Sequence, residues 1–127
     1  MKMQRNSDVA LLLLRVGLGL VFIAHGWQKF QTMQDTIGFF SSIGLSAFWA
    51  YLVATVELVG GLAVLLGVFT GYAGILLALV MVVAIFMLKF SKGFLGGYEF
   101  DLMLFLASLA VAFAGPGKYT VAALKKA

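Results

Sequence analysis

The sequence predicts an all-α membrane protein: an antiparallel bundle of four transmembrane helices, with a short interfacial helix between helices 1 and 2. Three observations carry this prediction. The chain contains four apolar runs of about 18 to 23 residues, each long enough at 1.5 Å per residue to cross a hydrocarbon core ~30 Å thick. Hydrophobic residues fill 63% of the 127 positions and charged residues only 11%, under half the share usual in a soluble domain. Mean hydropathy is +1.08. Even a domain of ~150 residues buries only about 70% of the area its unfolded chain exposes, so lipid must solvate most of these side chains. The length suits one domain over residues 1–127.

The first run is Val9 to Gln28. Its basic start and the Ala24-His25-Gly26 sequence have the outline of a secretory leader, but Arg15 interrupts the apolar stretch, so a retained span is expected. The second run, 47–69, is broken only by Glu57; the third, 72–90, meets no charge before Lys89. The fourth, 98–115, opens with Glu99 and Asp101 and stops at Gly115-Pro116-Gly117, where Pro116 lacks the amide a helix would need. Leu, Ala, Phe, Met and Val follow one another without alternation, which fits helices and not barrel strands. Gly67 to Gly71 is a tight turn between spans two and three, and Ser91 to Gly97 a short link to span four. Lys29 to Ser46 is too long for a turn; Ile37, Phe40, Ile43 and Ala47 recur in it at helical spacing, which predicts an amphipathic helix lying at the interface. Phe48, Trp49 and Tyr51 follow at the level of an aromatic belt. The small-residue pairs Ala63/Gly67, Gly74/Ala78 and Ser108/Ala112 read as helix packing.

The net charge of +4 does not mark a nucleic-acid binder. Lys2, Arg5, Lys118, Lys125 and Lys126 lie outside the apolar runs, and no basic cluster is interleaved with stacking aromatics. Lipid headgroups are the better partners. Four spans put both termini on one side, with those five basic residues, against Lys29, Lys89 and Lys92 on the other; the excess predicts cytoplasmic termini. The absence of cysteine excludes disulfides and thiolate metal sites, and the single histidine excludes a multi-histidine metal centre within one chain. Any electrons would sit on a bound organic molecule or on a partner.

The residues a bilayer should reject are the informative ones, since a charge near mid-span costs ~2.5–3.5 kcal/mol on insertion scales. Counting helical rise from the ends of the apolar runs puts Arg15 and Glu57 at similar depth and predicts an ion pair between helices 1 and 2, either as a register device or with a functional role. His25 falls nearer the outer end of helix 1, at the depth of Asp101 as span four enters. Arg15, Leu18, Phe22, His25 and Lys29 step by three and four along one face. The candidate ligand or proton-exchange site is therefore His25 with Asp101, walled by Trp27 and Phe22, with Gly26 leaving room for a flat ring. A simple hydrogen bond tying helix 1 to helix 4 is the plainer alternative for His25. Glu99 reads as an interfacial residue favouring its helix N-terminus.

The run Leu14 to Phe22 followed by His25-Gly26-Trp27-Gln28-Lys29-Phe30, then Glu57-Leu58-Val59-Gly60-Gly61, then Gly97-Tyr98-Glu99-Phe100-Asp101 and Gly115-Pro116-Gly117-Lys118-Tyr119, resembles the DoxX family in order and over nearly the whole chain. The resemblance implies a four-span protein of the bacterial cytoplasmic (inner) membrane, associated with quinone-linked oxidoreductases. Where the family often has an acid shortly after Gly-Pro-Gly, this chain has Thr120-Val121-Ala122, leaving Asp101 as the acidic candidate. Two functions follow as expectations. One is a quinone-interacting or accessory subunit of a membrane oxidoreductase, with quinone as the candidate cofactor and other oxidoreductase subunits or a second copy of the chain as candidate partners. The other is a non-enzymatic scaffold or a small transporter; a small multidrug exporter would carry its acid in the first helix, where this chain has Arg15 and His25.

Overall fold

The computed structural model describes residues 5–124; Lys2, Lys125 and Lys126, placed above with the basic termini, lie outside them. The described residues form six helices: α1 (Ser7–Gln31), α2 (Met33–Ser42), α3 (Ala47–Leu66), α4 (Thr70–Ala84), α5 (Glu99–Ala114) and the single turn α6 (Val121–Leu124). A π-type turn over Ile85–Lys89 and a 3₁₀ turn over Phe90–Lys92 prolong α4, and Phe94–Tyr98, kinked at the non-helical Leu95 and Gly96, leads into α5. Four helical stretches, Ser7–Gln31, Ala47–Leu66, Thr70–Lys92 and Phe94–Ala114, are long and apolar enough to cross a bilayer. α2 is the expected short helix between the first two spans. The short link expected over Ser91 to Gly97 is present: the helix breaks at Gly93, whose φ of 78° suits glycine alone, and the backbone is again non-helical at Leu95 (ψ 124°) and Gly96 (φ 71°) before α5 begins.

Around the bundle, α1 packs chiefly on α3 and α4 chiefly on α5, while the α3–α4 seam is looser. Glycines set the two tight seams. A Cβ on Gly19 would stand 2.9 Å from the Gly61 carbonyl oxygen, one on Gly26 would stand 2.5 Å from the Leu58 nitrogen, and one on Gly74 would stand 2.6 Å from the Ser108 oxygen. Backbones that close need small residues between them, since helix association in lipid rests on van der Waals fit and not on expulsion of water. Two of the pairs read from sequence as packing residues thus meet each other, Gly74 against Ser108 and Ala112, whereas Gly67 faces Arg15 and Thr120. Leu18, Phe22, Val64, Leu77, Met81, Leu104 and Val111 fill the centre. Met33 and Phe40 of α2 pack on Ala50 and Ala54 of α3, which holds α2 across the end of the bundle away from the termini.

Candidate functional site

Arg15 and Glu57, expected to pair, have different partners. Arg15 is 1% exposed. Its Nε donates to the Val64 carbonyl at 2.9 Å, Nη2 to Leu65 at 3.0 Å, and Nη1 to Pro116 and Tyr119 at 2.8 and 2.7 Å. The first two are last-turn carbonyls of α3, at the negative end of its dipole; Val64 also accepts from the cap amide of Gly67 at 3.2 Å. The other two come from the loop after α5, folded back over α1 by Gly115 and Gly117 with φ of 80° and 75°. Asp8 fixes the same loop by accepting from the Lys118 amide at 3.0 Å. Gly67 ends α3 with φ of 77°, and a Cβ there would stand 2.5 Å from Arg15 Nη2. The Arg15 motif and the Gly-Pro-Gly motif are thus two halves of one clamp at the terminal end. The ion-pair expectation fails on register. With Gly19 against Gly61 and Gly26 against Leu58, Arg15 faces the end of α3, about 15 Å of helix from Glu57.

Glu57 instead pairs with Lys29, whose Nζ lies 2.6 Å from Oε1. Glu57 is 2% exposed, and Oε1 receives no well-directed hydrogen bond among the described residues; the ammonium is its ionic partner. Lys29 is about a quarter exposed and has no other hydrogen-bond partner among the described residues. Three ammonium donors against one contact leave donors free for a ligand.

No hydrogen bond or ion pair among the described residues joins His25 to Asp101. His25 is exposed and makes no hydrogen bond or ion pair among the described residues; its ring lies 6.2 Å from that of Phe100. Asp101 is buried, with Lys89 at 3.8 Å. Phe22 is fully enclosed in the core and Trp27 is 56% exposed. Gly26 admits a helix and not a ring, because Leu58 and Ala54 already occupy the space beside it. Glu99 accepts from the Gly96 amide at 3.0 Å, so its role is local.

The concave site lies in the loose α3–α4 seam. A cleft of about 780 Å³ runs between α2, α3 and α4, with Leu52, Val56, Leu79, Val80 and Val83 among its walls. Trp49 and Phe39 line it with Asp35 and Thr36 of α2, and Lys29 with Glu57 forms an ion pair in its wall. Leu52, Leu76, Leu79, Val83 and Met87 are exposed, so the cleft is open on a flank that faces hydrocarbon. An apolar slot with a few convergent polar groups has the make-up of a small-molecule site. The cleft is not among the sites expected from the sequence, where Lys29 counts with the basic residues on the side away from the termini. The available signal was that Lys29 falls at helical spacing on the face of the buried Arg15, Leu18 and Phe22.

A bundle with four membrane-crossing helices, intramembrane charges satisfied internally and a lipid-facing cleft defines a multi-pass integral membrane protein. The chain belongs to the DoxX family, whose model matches residues 10–89. It is similar to a Bacillus subtilis (strain 168) protein named "Putative oxidoreductase CatD", 44% identical over 113 residues, with 89% of this chain and 84% of the relative covered. It also resembles the "Uncharacterized membrane protein Rv3486" of Mycobacterium tuberculosis (36% identical; 85% of this chain and 76% of the relative). A third relative is the "Inner membrane protein YqjF" of Escherichia coli K12 (28% identical; 94% of each chain). No solved structure gives a significant match.

Proposed function

We propose that this protein is a quinone-binding accessory subunit of a membrane oxidoreductase, with its termini in the cytoplasm, and that the quinone occupies the α2–α3–α4 cleft. The observation that carries the reading is the pairing of a lipid-open apolar slot of about 780 Å³ with the Lys29–Glu57 ion pair. A quinone has matching parts: an apolar tail that reaches the slot from lipid, a flat ring, and carbonyl oxygens that accept hydrogen bonds. Lys29 donates to a ring oxygen. Glu57 holds the ammonium in place, and as the buried carboxylate of the cleft it stands where a proton could pass to or from that oxygen. The quinone would supply the electron-carrying group that the chain does not: there is no cysteine and one histidine, and the described residues hold no cluster of three metal-ligating side chains. The name of the Bacillus subtilis relative supports the redox assignment.

Quinones quench tryptophan fluorescence at short range, and Trp49 lines the cleft while Trp27 does not. Titration of a decyl-tailed benzoquinone into Trp27→Phe protein in nanodiscs should give saturable quenching of Trp49. Lys29→Met should weaken it at least about tenfold, the loss of one hydrogen bond to a charged group. Quenching that rises linearly with quinone and is unchanged by Lys29→Met would remove the site.

A further inference from the structure

We infer that the terminal end of the bundle carries a second ligand site, for the phosphate headgroup of an anionic phospholipid. All four hydrogen bonds of Arg15 go to uncharged carbonyls, which leaves one of the five guanidinium N–H groups unused. No carboxylate among the described residues forms an ion pair with it; Glu57 pairs with Lys29 and Asp101 with Lys89. Asp8, the acid at this end, is engaged by the Lys118 amide. Among the described residues, a full positive charge inside a membrane-crossing helix is thus met by carbonyl dipoles and by no ion pair, whereas buried charges are ordinarily paired.

Beside this charge opens a pocket of about 440 Å³ between α1, the end of α3 and α6, lined by Arg15 and Lys118 and walled by Leu12, Leu66, Val121 and Leu124. The Lys118 ammonium lies over the Tyr119 ring, 5.3 Å from its centroid, and has no carboxylate partner among the described residues. Two cations, no paired anion and leucine walls suit a phosphodiester carrying acyl chains: the phosphate meets Lys118 within the field of Arg15, and the first chain methylenes lie on the leucines. Inorganic phosphate shares the headgroup chemistry but gains nothing from the walls. This site stands apart from the cleft, and neither reading depends on the other.

The test is native mass spectrometry of the delipidated full-length protein with phosphatidylglycerol or with phosphatidylcholine of the same chains. Phosphatidylglycerol should bind roughly tenfold more tightly, the effect of basic residues on an anionic headgroup. Lys118→Glu and Ala123→Trp, the second filling the pocket, should each abolish that preference. Both positions are exposed, and unchanged helicity and melting by circular dichroism confirm the fold. Millimolar inorganic phosphate should not displace the lipid. Equal binding of the two lipids, or a preference that survives both variants, overturns the proposal; displacement by phosphate assigns the pocket to a soluble anion and overturns the lipid.

Discussion

Gly26→Ala tests the α1–α3 seam that sets the register of Arg15, Lys29 and Glu57. The added Cβ would stand 2.5 Å from the Leu58 nitrogen, 2.9 Å from its Cα and 3.0 Å from the Ala54 oxygen, all of them backbone atoms. Ordinary contact begins near 3.4 Å, so one helix must shift by about 1 Å or its backbone must deform, and overpacking of this kind costs about 1–3 kcal/mol. Gly17→Ala is the control. It lies on the same helix with nothing within 4 Å of its Cβ position, and gains the helix propensity of alanine, about 1 kcal/mol. Propensity cancels between the two variants, which leaves the packing cost as their difference. At roughly 4 °C per kcal/mol for a chain of this size, Gly26→Ala should melt about 4–12 °C below Gly17→Ala when tryptophan fluorescence is followed on heating. Equal melting temperatures, or a lower one for Gly17→Ala, would refute the close approach of α1 and α3.

Lys29→Met and Glu57→Gln should each lower stability by about 3 kcal/mol, the low end for a buried pair broken on one side because Lys29 is partly exposed. The double variant should recover at least half of the summed loss. Arg15→Gln combined with Glu57→Gln should instead be additive within about 0.5 kcal/mol, as expected for separated sites; a large coupling there would restore the ion pair that the sequence suggests. Reporter fusions after Lys126 and at Gln34 should give opposite signals, the Lys126 fusion reading as cytoplasmic. Matching signals would contradict an even number of spans with α2 at the far end.

The spans were legible because 63% hydrophobic composition concentrated in uninterrupted runs leaves no soluble alternative, and α2 was legible from the spacing of Ile37, Phe40 and Ile43. The charge pairs were not. Depth counted from the edges of apolar runs overlooks that α1 continues through Lys29 to Gln31, which slides α1 along α3 and exchanges Glu57's partner. Arg15 was misread for a second reason: its partners are backbone carbonyls, which every residue has and no sequence motif announces. His25 drew attention because it is the one histidine, yet a single position of rotation from Gly26 turns it out of the α1–α3 seam. Beyond the inward face of Lys29, the cleft leaves no signature. Its walls are the same leucines and valines that face lipid elsewhere, and only the divergence of α4 from α3 beneath α2 makes them a site.

Photolabelling with an azido-benzoquinone, followed by peptide mass spectrometry, tests most directly the claim that the cleft binds the ring. Adducts are expected on the cleft walls, on Trp49 to Val56 of α3 and Leu79 to Ala84 of α4, lost when unlabelled decyl-benzoquinone is added in excess and diminished in Lys29→Met. Competable adducts on α1 and α5 around His25, Trp27 and Phe100, with none on α3 or α4, would contradict it and return the site to the histidine.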